Sequence, residues 1–198
     1  SSVVDFVLRE TDPGDFIKAL SRHSGQAVSV AIQLWALDAQ DEVIADGNAS
    51  GLGKSSGIVG TLSLVQAIAA VEAERSRATA TGAAAQLGCH AWPRLCIVTR
   101  GAHECGGSQR AAPVPGQAAV VGLARVVEAE LPELDCICVD LDPDADGATA
   151  TVAEAEATEI LREARHRDAA WGVPGSSSVQ REQLVCLRAT HRFVARID

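Results

Sequence analysis

The sequence predicts an α/β fold, a mostly parallel sheet flanked by helices and lacking a nucleotide-binding fingerprint. Three observations predict it. Short apolar, β-branched runs alternate with longer segments of helical period. Gly, Pro, Asp and Ser clusters punctuate the alternation. No G-x-G-x-x-G follows any of the apolar runs. With 198 residues, 47% apolar and 22% charged, the chain is expected to form a single globular domain. A chain of this length buries about 70% of its unfolded surface and folds without a metal or disulfide.

The elements follow in order. Residues 3–8 are a β-branched run, broken at Pro13-Gly14, and 15–22 fit a short helix. Together, residues 1–26 form an N-terminal strand and helix segment. Residues 27–37 are a long apolar run, expected as a central strand. Residues 38–56 are rich in Asp, Gly, Asn and Ser and are expected as a loop. Residues 58–74 predict a helix, with Ile58, Leu62, Val65 and Ala69 on one stripe and Leu64, Ile68 and Val71 beside it. Residues 75–91 are Ala, Thr and Gly-rich and are expected as a surface excursion. Residues 94–99 predict a buried strand and 101–113 a loop. Residues 115–131 predict a helix with a proline near its start and Pro132 at its stop; Val120, Leu123, Ala124, Val127 and Leu131 are its apolar stripe. Residues 134–141 predict a strand, 152–165 a helix, and 171–181 a Gly, Pro and Ser linker. Residues 184–188 and 192–197 predict two short closing strands around a tight turn at 189–191.

Composition narrows the function. The net charge is −9 and only Lys18 and Lys54 are lysines, so no nucleic-acid partner is expected. Arg162, Arg165 and Arg167, interleaved with Glu159, Glu163 and Asp168, fit a solvated helix face. No apolar run approaches the roughly 18 residues of a membrane span, and no signal peptide is visible. The six cysteines are therefore expected as thiols in a reducing cytoplasm. The chain has no Met and no Tyr. The first fits a processed chain or a piece of something larger; the second excludes any tyrosine acid or base.

Candidate chemistry is sparse. Asn48, Gly51, Gly53, Lys54 and Ser55 nearly match a phosphate loop ahead of a helix, and Asp140 could mimic the strand-end aspartate that holds Mg²⁺. Asn48 stands where the first glycine belongs, and the plain alternative is a Gly/Ser loop capping the next helix. Gly51 and Gly53 lack the third glycine of a dinucleotide turn; Gly101, Gly106 and Gly107 miss its spacing. Cys89, His90, Cys96, His103 and Cys105 are zinc-type residues without C-x₂-C spacing, and Cys136 and Cys138 share one strand face as small apolar residues. His103-Glu104 lies in a loop after a strand, but no serine or cysteine has a nucleophile's context. Asp140 and Asp142 share a face and read best as a solvated, helix-capping acidic turn. Arg100 and Arg125 are placed to clamp an anion or fork onto an acidic partner. No catalytic, cofactor-binding or metal residue is assigned.

From Trp92 onward the residues match a known pattern. Trp92, Pro93, Arg94 and the run through Arg100, Gly101 and Ala102 resemble a strand and turn of the ketoreductase structural subdomain in modular type I polyketide synthases. Pro115, Gly116, Gln117, Gly122, Leu123, Arg125 and then Pro132 are similar to that family's next helix. Val139, Asp140 and Leu141 resemble its following strand, and Leu184, Arg188, Arg192, Phe193 and Arg196 its closing strands. Leu34, Trp35, Leu37 and Asp38 resemble an earlier strand. The likeness spans about residues 30–198. Val121, Ala124 and Leu131 depart from the residues usual there.

The resemblance implies a truncated Rossmann-like body that holds no cofactor and does no chemistry. It implies a partner, the catalytic subdomain that follows in the same polypeptide and carries the NADPH-binding glycines and catalytic Ser and Tyr. It also implies neighbouring domains of a multidomain, acyltransferase-type synthase. Two other readings stay open: a P-loop-like nucleotide-binding enzyme using Lys54 and Ser55, and a docking module of a fatty acid synthase-like multienzyme.

Overall fold

The computed structural model describes residues 8–9, 11–22, 28–38, 56–80, 92–105, 113–145, 149–166, 183–189 and 191–194. Four helices and five strands lie among them: α1 (Pro13–Arg22), β1 (Val30–Gln33), α2 (Ser56–Ala80), β2 (Arg94–Arg100), α3 (Pro115–Glu130), β3 (Ile137–Leu141), α4 (Ala150–Arg165), β4 (Leu184–Arg188) and β5 (His191–Val194). The sheet order is β1-β2-β3-β4-β5. The first four strands are parallel, and β5 returns antiparallel along β4, with Arg188 opposite His191.

Period-two alternation sorts the strand residues onto two faces. Leu95, Ile97, Cys136, Cys138, Leu184 and Cys186 pack on one face with Val120, Ala124 and Ile68 from α3 and α2. Cys96, Val98, Ile137, Val139, Leu141 and Val185 pack on the other with Ile160 and Ala164 of α4. Strands β2 and β3 are thus covered on both sides, which is why their sequences are nearly continuous apolar runs. On α1, Phe16 is buried and meets the Trp35 ring edge-on at 5.3 Å.

Several expectations need correction. The run at 27–37 is not a central strand. Only Val30–Gln33 pairs, at one edge of the described sheet, and Trp35–Asp38 coils into a 3-10 turn. Ala36 is wholly buried in that turn while Leu34 is exposed, so this apolar stretch packs against helices instead of extending the strand. Helix α2 runs on to Ala80, so 75–80 are helix, not excursion. The strand expected at 134–141 begins at Ile137. Pro132–Leu134 form a 3-10 turn, and Asp135 takes a left-handed φ of 44° that ends it. Leu62 is exposed instead of buried on the α2 stripe. Helix α2 is also long and apolar enough by length and composition to cross a membrane. Scattered Thr, Ser and Gln hide that in a search for unbroken runs. Its Leu64, Val65, Ala67, Ile68 and Val71 are core residues of the α/β body. The strand expected at 3–8 (Leu8 apart), the loop at 39–55, the excursion at 81–91 and the linker at 171–181 lie outside the described residues.

Candidate functional site

In open α/β sheets, ligands are held at the carboxyl ends of the strands. Here that edge is occupied by the chain's own charges. Asp140, near the end of β3, is fully buried. Its Oδ1 accepts from Thr99 Oγ1 at 2.8 Å and from the Ala102 amide at 2.8 Å. Its Oδ2 accepts from the His103 amide at 3.1 Å and from Arg188 Nη2 at 2.6 Å. Four donors fill the lone pairs of a carboxylate. Arg188, at the end of β4, is itself 8% exposed. Its Nη1 donates to the carbonyls of Asp140 and Leu141 at 2.8 and 2.9 Å, and its Nη2 to that of His103 at 2.7 Å. Burial opposes the guanidinium charge, yet the bond and charge of Asp140 raise its pKa above the ordinary arginine value.

The turn after β2 is shaped to close on this pair. Gly101 sits at φ 67°, and a Cβ there would lie 2.9 Å from Pro143 Cβ, so only glycine fits. The Gly101 amide donates to Leu141 O, and its carbonyl accepts from Val114 N, which pins both sides of the turn. At the start of α3, the buried Gln117 accepts the Arg100 amide at 3.2 Å and donates to the Ala36 carbonyl. One side chain thus ties β2, α3 and the turn after β1. At Gly57, near the α2 N-terminus, a Cβ would stand 2.9 Å from Ala36 Cα, so backbone meets backbone there.

The opposite face carries a second set of ion pairs. Arg100 forks onto Glu156 of α4 at 2.8 and 2.9 Å and also reaches the Asp142 carbonyl. Arg192 forks onto Glu163 at 2.6 and 2.9 Å. Arg94 donates to the Glu163 carbonyl at 3.0 Å and faces the Asp135 carboxylate at 3.3 Å. These pairs clamp α4 across the sheet.

The sequence-predicted residues scatter across this frame. Arg100 does fork onto an acidic partner, but the partner is its own chain's Glu156. Arg125 is exposed on α3. Asp140 is not part of a solvated turn; the charge of Arg188 and three neutral donors hold it buried. Asp142 accepts the amides of Asp144 and Ala189, both at 3.0 Å, and does not cap α4. Glu163, expected in solvent, is buried against Arg192 and Arg94. Gly122 does not serve close packing, since a Cβ there would meet nothing within 4 Å. His103 takes part through its backbone. Cys96 and Cys105 belong to opposite faces of the sheet, so they cannot share one ligand. Burial pushes the thiols of Cys96 and Cys138 up to about 12 and that of Cys136 well above its ordinary value, as for apolar core residues. Asn48, Gly51, Gly53, Lys54, Ser55, Cys89, His90, Gly106 and Gly107 lie outside the described residues. The sequence assigns no role to Thr99, Glu156, Gln117 or Arg188, and the last two enter it only through the resemblance. The available signal was parity: Leu184, Cys186 and Arg188 alternate on one face of β4, beside Asp140 of β3.

No protein-family model matches the sequence, and no curated protein matches it. Solved structures do. The chain is similar to an A1-type ketoreductase with a TM-score of 0.58 and 21% identity, over 96% of this chain and 31% of that one. It is similar also to A-type ketoreductases from a modular polyketide synthase, with a TM-score of 0.54 and 19% identity, over 93% of this chain and 30% of that one. The chain therefore spans about 30% of the length of the structures it matches. The fold is a mostly parallel five-stranded sheet with helices on both faces, a truncated Rossmann-like body.

Proposed function

We propose that this chain is the non-catalytic structural half of a polyketide synthase ketoreductase. It stabilises and positions a catalytic subdomain that reduces a carrier-protein-bound β-ketoacyl chain with NADPH. One observation carries the reading: among the described residues, the Asp140–Arg188 cluster fills the carboxyl ends of β3 and β4 with the chain's own charges. The Ala102 and His103 amides, which could cradle a phosphate, are bound to Asp140 instead. Asp140 itself has no lone pair left for Mg²⁺, which counts against the P-loop alternative. Neither half of the chemistry, cofactor or proton donor, is held by these residues.

The partner's seat is the outer surface of α2 and α3. From Ser56 to Val71, α2 carries no charged residue, and α3 carries only Arg125 between Pro115 and Val127. Leu62 and Val126 are 44% and 55% exposed on these helices. In a chain of net charge −9, so uncharged a pair of helices suits contact with protein. The neighbouring domains of the synthase and a cytoplasmic setting, which keeps the cysteines reduced, belong to the same proposal.

Two measurements test it. Calorimetric titration with NADPH and with ATP/Mg²⁺ is expected to give no heat of binding. Tight ATP binding that disappears in Lys54→Ala would replace this reading with nucleotide chemistry. Co-expression with the segment encoded directly downstream is expected to yield a stable complex that reduces a β-ketoacyl thioester with NADPH; separate, non-associating pieces would sink the scaffold role.

A further inference from the structure

Strand β1 pairs with β2 on one side, and among the described residues no strand lies on its other side. Val30, Ala31 and Ile32 are only half-buried there, whereas Leu95 to Thr99 of β2 are buried. Residues 28–34 hold no charged residue and no proline, the usual devices that keep an edge strand from pairing. An apolar strip runs beside this edge on the α4 side. Val30, Ile32 and Leu37 pack against the core there, and Leu34, two residues beyond Ile32, is 49% exposed. Helix α4 packs on β1, β2 and β3, with Ile160 and Ala164 toward the sheet. Glu163 turns to one flank of α4, where it meets Arg192 of β5. At about 100° per residue, Leu161 turns to the opposite flank, toward β1, and it is 42% exposed. Arg94 meets Glu163 and Arg100 meets Glu156, so α4 runs antiparallel to β2. The middle of β1, paired with Leu95 and Cys96, is therefore level with Leu161. Glu154 and Arg165 stand on that same flank near the two ends of α4, and both are exposed.

We propose that this edge pairs with a second copy of the chain, β1 running antiparallel to its copy across a two-fold axis normal to the sheet. The open donors and acceptors of a strand edge match those of its own antiparallel copy, and a two-fold contact uses the same patch on both molecules. Such an axis keeps both α4 helices on one face and sets them antiparallel. Leu161 then faces its own copy over a floor of Val30, Ile32 and Leu34. Glu154 of each α4 comes toward Arg165 of the other, so opposite charges meet at both ends of the contact. The strip between them is uncharged, which lets two chains of net charge −9 approach. The α2–α3 surface lies on the other face of the sheet and stays open, so this inference stands apart from the scaffold reading and does not depend on it.

The test uses the full 198-residue chain in analytical ultracentrifugation, at concentrations up to about 100 μM, well above a micromolar Kd. The expected result is a monomer–dimer equilibrium, with hydrogen–deuterium exchange of the peptide covering 28–34 slowing as the dimer forms. Leu34→Lys with Leu161→Lys changes exposed positions only and is expected to leave a folded monomer. Glu154→Arg is expected to weaken the dimer by about tenfold, since two exposed ion pairs are lost, and adding Arg165→Glu to restore it. A chain that stays monomeric throughout the series overturns the proposal. So does a dimer that survives the two lysines, or one abolished by Leu62→Glu with Val126→Glu on the opposite face. Protection of 28–34 that appears only with the downstream segment gives the edge to that partner and overturns it as well. Exchange in the unaltered chain decides the matter even if a variant folds poorly.

Discussion

At the scale of single residues, the Asp140–Arg188 pair dominates. Removing one member leaves a buried charge uncompensated, which costs about 3–5 kcal/mol. Asp140→Asn is therefore expected to lower unfolding free energy by that amount in urea denaturation. Arg188→Met should cost similarly, and the double variant less than the sum, because the second change removes the orphan that the first created. Half of this pair was legible. Asp140 stood out as a strand-end acid, but its burial did not, since burial depends on an arginine 48 positions later. The Cys136 and Cys138 pairing on one face was legible because strand parity is local.

At the scale of elements, punctuation decided what could be read. Helix α3 was found closely, from Pro115 to a stop before Pro132, because both signals lie in neighbouring residues. The 27–37 run misled because an apolar stretch does not announce whether a sheet or a helix layer covers it. Trp35 and Ala36 turned out to serve the helix layer. Gln117 joins these layers. Gln117→Leu keeps the volume but leaves the Arg100 amide and the Ala36 carbonyl without their partner. It is expected to destabilise the chain by about 1–3 kcal/mol, seen as a lower midpoint with an unchanged denaturant slope.

At the scale of the whole molecule, two predictions follow from the distribution of charge and of thiols. Leu62→Glu together with Val126→Glu adds charge to exposed positions only. Thermal stability is expected to stay within about 0.5 kcal/mol per site, while association with the downstream segment weakens, as pull-down from co-expression would show. The buried thiols set the alkaline limit. Their folded-state pKa values lie above those of the unfolded chain. The unfolded state therefore loses protons first once pH passes the ordinary thiol value of about 8.5. Stability is full below that pH and falls as pH rises toward the folded values near 12. The fall steepens toward about 1.4 kcal/mol per thiol per pH unit. Urea titrations at pH 8 and pH 10 are expected to show it, and Cys96→Ala with Cys138→Ala to flatten it.

The strand order has a consequence for how the chain is made. In a doubly wound sheet the chain starts in the middle, builds outward one way, then returns to build the other. Here the spatial order is the order of synthesis. Each strand pairs with the one completed just before it, so a nascent chain can lay down the sheet from one side to the other. Among the described strands, no late strand has to thread between earlier ones. A chain translated from one end can thus complete each strand of this sheet against a neighbour that is already in place.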